Sequence, residues 1–143
     1  MLEVVIDSTV FVSALLTRGG VAAQLIQHAK YGVFLCYLAE EILAEIQRVL
    51  HYPELLERYR YTAQDIQEFC QVLRETAALV TDLPQLAIVR DPNDDMIVAC
   101  AVVAQASYIV SRDKDLLSLG EYESIVIVTP ETFMGILREQ GLI

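Results

Sequence analysis

The sequence predicts an α/β fold with a mainly parallel central sheet covered on both faces. Three observations carry this. Short apolar, β-branched runs recur at residues 2–6, 33–37, 107–110 and 124–128 ("LEVVI", "VFLCY", "SYIV", "SIVIV"), the character of strands buried on both faces. Stretches with helical periodicity separate them, at 9–16, 20–31, 39–50, 62–80 and 93–105, and another at 130–139 closes the chain. Strands that alternate with helices are joined by crossovers, which makes neighbouring strands parallel and puts helices on both faces.

The punctuation between elements agrees. Gly19-Gly20 and Gly32 separate the early elements, and Pro53 follows the helix that ends near Tyr52. The segment "TAQDIQEFCQVLRETAALV" puts Ile66, Phe69, Cys70, Leu73 and Ala77 on one face, so its acids and glutamines form the solvated side. In "RDPNDDMIVACA", Asp91 is placed as an N-cap, Pro92 as the first helical residue and Asp94 as an acid in the first turn, which leaves Asp95 without a role. Thr129-Pro130 repeats the cap-then-proline pattern. No internal repeat or low-complexity linker breaks the 143 residues, so one domain over 1–143 is expected.

Hydrophobic residues make up 55%, yet the longest apolar run, Met96 to Ala104, falls far short of the ~18 residues of a membrane span. The N-terminus has no basic segment leading into a long apolar one. A soluble, cytoplasmic protein with no membrane role is expected. Cys36, Cys70 and Cys100 are odd in number, widely spaced and set among apolar residues, with His28 and His51 near none of them, so buried thiols are expected rather than a zinc site. A net charge of −10 argues against nonspecific adhesion to nucleic acid and confines any such function to one site.

Ligands of an open parallel sheet bind beyond the carboxyl ends of its strands. Asp7 follows "LEVVI" and Asp113 follows "SYIVSR", so two strands deliver a carboxylate to the same sheet edge, although either residue could instead cap the next helix. On "AEEILAEIQRVL" the core stripe is Ile42, Leu43, Ile46, Val49 and Leu50. Glu45 falls nearer that stripe than Glu40 or Glu41, and pairing with Arg48 is its alternative role. With Asp94 these make four acids from four places, each able to reach the strand-end crevice. Converging carboxylates repel one another unless protonated or bound to a cation, and hard divalent ions such as Mg²⁺ or Mn²⁺ suit oxygen ligands.

"VVIDSTVFVSALL", "EEILAEIQRVL", "RDPNDDMIVACA", "YIVSRDKDLLSL" and "IVIVTPETF" follow in order over nearly the whole chain, and in this they resemble the PIN domain family. More narrowly, the chain resembles bacterial PIN proteins regarded as toxins of toxin–antitoxin systems, relatives of the VapC ribonucleases. The resemblance implies a three-layer α/β/α domain whose acidic pocket binds Mg²⁺ or Mn²⁺ and hydrolyses RNA phosphodiester bonds. It places the family's acids on Asp7, Glu45, Asp94 and Asp113. Asp94 is preferred to Asp95 because the family's third acid lies three residues before the apolar run that begins at Ile97. Ser8, Thr9, Asp95, Ser111 and Asp115 fall in supporting positions. The family commonly has Asp-Thr-Asn at its first motif; Thr9 holds the asparagine position here, and a hydroxyl reaches less far than an amide.

The expected mechanism has Asp7, Asp94 and Asp113 as metal ligands and Glu45 as a further ligand or the group that orients water, with no histidine base required. Arg112 and Lys114 flank Asp113 and either bind phosphate or offset the acids. Arg58 and Arg60 alternate with Tyr59 and Tyr61 in "ERYRY", a composition suited to phosphate contact and base stacking, or a polar link between helices. The partners implied are an RNA substrate, a cognate antitoxin and a second copy of the chain. A phosphotransferase of the haloacid dehalogenase type would need an Asp where Thr9 stands. A phospho-receiver would need an Asp after a middle strand and a Lys after a late one, where Leu38 and Thr129 are found. The non-enzymatic alternative is a catalytically weak PIN domain that serves as a protein-binding module for a basic partner.

Overall fold

The computed structural model describes residues 1–143. In chain order the elements are β1 (Glu3–Ile6), α1 (Ser8–Leu16), α2 (Val21–Lys30), β2 (Leu35–Ala39), α3 (Glu40–Leu50), α4 (Pro53–Tyr59) and α5 (Ala63–Thr76). There follow β3 (Ala78–Val80), α6 (Pro92–Ala104), β4 (Tyr108–Val110), α7 (Lys114–Leu119), β5 (Glu121–Tyr122), β6 (Ile125–Val128) and α8 (Pro130–Glu139). The six strands form one sheet in the order β3-β2-β1-β4-β6-β5, parallel except for β5 against β6, within an α/β/α arrangement. From β1 the chain winds outward through β2 to β3, then returns to β4 on the other side of β1. The topological switch point therefore lies between the ends of β1 and β4.

One hydrophobic cluster of 36 buried residues fills both sides of the sheet. Helix α6 is the most deeply embedded: Asp94, Asp95 and every residue from Ile97 to Ala101 are buried, and its small side chains let it pack against β1, β2 and β4 at once. Phe133 on α8 receives Phe34 and Tyr108 edge-on, with ring centroids at 5.2 and 5.6 Å. Cys36, Cys70 and Cys100 are free and buried, and burial pushes the Cys36 and Cys100 thiols up to about 12. No single helix is long and apolar enough to cross a membrane.

Several boundaries differ from expectation. The helix expected over 62–80 begins as predicted, with a reciprocal cap in which Thr62 and Asp65 each accept the other's backbone N–H (3.1 and 2.8 Å). It stops at Thr76, and Ala78–Val80 pairs with Tyr37–Ala39 as an edge strand. The apolar run "AALV" suits either state by periodicity, and the open hydrogen-bonding edge of β2 decides it. The strand expected at 33–37 runs two residues later, because Phe34 points into the core and Leu35 pairs with Glu3. The residue after this strand is thus Glu40, not Leu38. It is no aspartate, and Arg74 holds it at 2.5 and 3.0 Å, so a phospho-receiver remains excluded on a corrected count. Helices α4 and α7 and strand β5 were not anticipated, being short; α4 buries no residue at all. Pro53, read as a helix stop, opens α4 as well.

Candidate active site at the β1/β4 switch point

Pairing of β1 with β4 continues one residue past the strand, where Asp7 N–H donates to the Val110 carbonyl at 2.9 Å. This fixes Asp7 at the switch point, 1% exposed. Its side chain makes no cap on α1. The carboxylate instead accepts from Ser111 Oγ (2.7 Å), Thr9 Oγ1 (2.8 Å) and Ser8 Oγ (3.3 Å). Burial raises the Asp7 proton affinity, the three hydroxyls oppose that, and the nearby charge of Asp113 adds to it. Capping, the alternative role open to Asp7 in the sequence, is thereby ruled out.

Asp113 does both jobs. Its Oδ2 accepts the N–H groups of Asp115 and Leu116 (3.0 and 3.1 Å), which caps α7, while its own N–H donates to Ser111 Oγ at 2.9 Å. Ser111, wholly buried, therefore links Asp7 to Asp113 through one hydroxyl.

The three acids at the start of α6 divide their work. Asp91 caps the helix through the Asn93 N–H (2.9 Å). Asp95 accepts from Ile88 N–H and Val89 N–H (2.9 and 3.0 Å), stapling the β3–α6 loop onto the helix. Asp94, 7% exposed, meets neither N–H nor cation and faces Asp113. Its proton affinity is pushed up to about 7, first by burial, then by a hydrogen bond shared with the Asp113 carboxyl, then by the charges of Asp113, Asp7 and Asp91.

Carboxylate oxygens of Asp94, Asp113 and Asp115 lie within 4.8 Å of one another. An all-oxygen, all-anionic donor set that raises the proton affinity of its buried member fits a hard divalent cation. Asp7 adjoins this set, and its charge acts on Asp94. Asp115, expected as a supporting residue, is among the three.

The other expected residues are less centrally engaged. Glu45 is bonded to Arg48 on its own helix (2.7 Å), the alternative pairing that its sequence position allowed, and not to any aspartate. Arg112 is held by two bonds to Glu131 (2.9 and 2.7 Å), while Lys114 is exposed and makes no ion pair. Arg58 stacks over Tyr59 at the end of α4, and Arg60 takes the left-handed cap position after it. Tyr61 is buried and donates to the Leu50 carbonyl at 2.7 Å, so it is a structural residue and offers no stacking face. Arg90 was not singled out in the sequence; it bonds both oxygens of Asp115 at 3.2 and 3.1 Å. Its place immediately before the Asp91 cap was the available signal.

Beside the acids lies a groove of about 610 Å³ between the β3–α6 loop and the first turn of α6, lined by Leu83, Leu86, Met96, Asn93 and Glu41 among others. Asp95 also lines it, whereas Asp7, Asp94 and Asp113 do not, so the concavity flanks these three carboxylates and does not contain them.

Fold and site together define an α/β protein that gathers carboxylates at a topological switch point. Residues 3–115 match the PIN domain family, and the chain belongs to it. PIN domains are generally nucleases, and the family typically uses divalent metals. An uncharacterised protein of Methanocaldococcus jannaschii is 26% identical over 120 residues, which cover 84% of this chain and 76% of that one. Among solved structures, VapBC2 from Rickettsia felis bound to a DNA fragment from its promoter has a chain that superposes with a TM-score of 0.59 at 11% identity, covering 88% of this chain and 97% of that one. At that identity the match concerns the fold.

Proposed function

We propose that the chain, as one PIN domain over residues 1–143, is an Mg²⁺- or Mn²⁺-dependent endoribonuclease and the toxin of a toxin–antitoxin pair. One observation carries the reading: Asp94 is buried against Asp113 with no N–H group or cation to balance it. In a fold stabilised elsewhere, such an arrangement is retained for function.

Asp7, Asp94 and Asp113 are the proposed metal ligands, with Asp115 beside them. A bound divalent ion supplies acidity to water and charge stabilisation to the phosphoryl oxygens. The protein's own part is positioning. Three hydroxyls fix the Asp7 carboxylate, the α7 cap fixes that of Asp113, and Ser111 locks the two together. Thr9 fills the family's asparagine position and its hydroxyl bonds Asp7 directly, which supports an intact first motif. Glu45 is proposed as a fourth acid that releases Arg48 to orient water, since an exposed i,i+3 pair holds it by less than about 1 kcal/mol. Neither histidine takes part: His51 bonds the Gln47 carbonyl and His28 lies in the last turn of α2.

The antitoxin partner is supported by the structural neighbour, a toxin–antitoxin pair, and by a net charge of −10 that favours a basic partner. A homodimer and a cytoplasmic location belong to the same proposal. The test is cleavage of a mixed RNA pool by the purified chain with Mg²⁺ or Mn²⁺, against EDTA and Asp7→Asn controls. Cleavage that needs both the metal and Asp7 is expected; equal cleavage by a folded Asp7→Asn variant contradicts the assignment.

A further inference from the structure

We propose that Arg90 is the site's resident counter-charge: it holds Asp115 in the free protein, cedes that carboxylate to the divalent ion, and then binds a phosphate of the substrate strand. This rests on the nuclease reading above.

Asp115 belongs to the set of three carboxylates, and both its oxygens are engaged by one nitrogen of Arg90. Of the four ion pairs in the molecule, this one alone involves that set. The backbone around Arg90 is anchored on both sides. Asp95 holds the N–H groups of Ile88 and Val89, and Asp91 caps α6. The side chain itself is 87% exposed and makes no other hydrogen bond, so it can leave Asp115 at little cost. A fixed root and a free guanidinium at the rim of an acid crevice describe a group built to change partners.

Charge explains why it would. A divalent ion among Asp94, Asp113 and Asp115 is repelled by a guanidinium a few ångströms away, and both compete for the Asp115 oxygens. An RNA strand approaching a chain of net charge −10 needs a local cation to receive its phosphate. Arg112 is occupied by Glu131 and Lys114, though free, is tied to none of the three carboxylates, whereas Arg90 is released at the moment the ion binds. Arginine suits this exchange because its planar fork matches both carboxylate and phosphate.

Two measurements test the proposal, and they have opposite signs. Mn²⁺ binding without RNA, followed by the electron paramagnetic resonance signal of the free ion, is expected to be about three- to tenfold tighter in Arg90→Gln and unchanged in Arg90→Lys. Binding of a single-stranded RNA oligonucleotide in Mn²⁺, read by fluorescence anisotropy in the Glu45→Gln background, is expected to weaken when Arg90→Gln is added. The salt dependence should fall by about 0.7 in log–log slope, one phosphate contact. A residue that merely braced the loop would not tighten one ligand while loosening the other. Equal or weaker Mn²⁺ binding by Arg90→Gln, or an unchanged salt slope, overturns the role of Arg90 and leaves the nuclease reading standing. Failure of the parent chain to bind Mn²⁺ overturns both.

Discussion

Neighbouring aspartates at the start of α6 should respond to mutation in opposite directions. Asp95→Ala removes the acceptor of two N–H groups, Ile88 and Val89, in a half-buried loop. Charge-assisted bonds of this kind are worth roughly 1.5–3 kcal/mol each, and water can replace part of the loss, so about 2–3 kcal/mol of destabilisation is expected. For a chain of this size that lowers Tm by about 6–12 °C. Asp94→Asn does the reverse. The folded-state proton affinity of Asp94 lies at about 7, above the ordinary 3.8, so the folded protein binds more protons than the unfolded chain between those values and loses stability as pH rises through that window. About three pH units at ~1.4 kcal/mol each set a ceiling near 4 kcal/mol, and because part of the shift is shared with Asp113, about 2 kcal/mol is expected. Asn carries no charge, so the variant should match the parent near pH 4 and exceed it by about 2 kcal/mol at pH 8. Urea unfolding in EDTA at the two pH values measures both effects. The assignment of the two acids is refuted if Asp95→Ala unfolds like the parent, or if Asp94→Asn is the less stable protein at pH 8.

Three further outcomes follow from the same geometry. Ser111→Ala breaks the hydroxyl link between Asp7 and Asp113 and should cost about 1–3 kcal/mol by denaturant titration, with cleavage falling by about tenfold or more. Tyr61→Phe removes the bond to the Leu50 carbonyl and should cost about 1–2 kcal/mol while RNA cleavage stays at the parent rate; slower cleavage at full stability would restore a stacking role. Glu45→Gln should shift stability by less than about 1 kcal/mol yet lower cleavage by about tenfold or more, and full activity would leave Glu45 with Arg48 as its only role.

Those elements whose cause is local were legible in the sequence. The cap at Asp91-Pro92, the cap at Thr129-Pro130 and the apolar strands β1, β4 and β6 follow from residue chemistry within a few positions. Strand β3 was not legible, because "AALV" continues a helical stripe and only the edge of β2, some 40 positions away in the pairing of Ala78 with Tyr37, turns it into a strand. Helices α4 and α7 are too short to show a period. In the site, strand ends pointed to Asp7 and Asp113, while the choice of Asp94 over Asp95 came from the resemblance to the PIN family, through its count to Ile97. That Asp95 staples a loop while Asp94 faces Asp113 is a matter of rotation about one helix, visible only once the β3–α6 loop is in place. Arg90 escaped notice because its partner lies 25 residues further along the chain. Glu131 and Arg112 likewise meet only through the fold.

The proposed nuclease requires that Asp94 and Asp113, with Asp7 and Asp115 alongside, hold a divalent ion in the β1/β4 crevice. The most direct measurement is an anomalous difference map from crystals of the chain grown or soaked in Mn²⁺. A peak in direct contact with the carboxylates of Asp94 and Asp113, absent from the Asp94→Asn protein, is the predicted result. An active enzyme whose Mn²⁺ peak lies elsewhere, with the crevice empty, would contradict it.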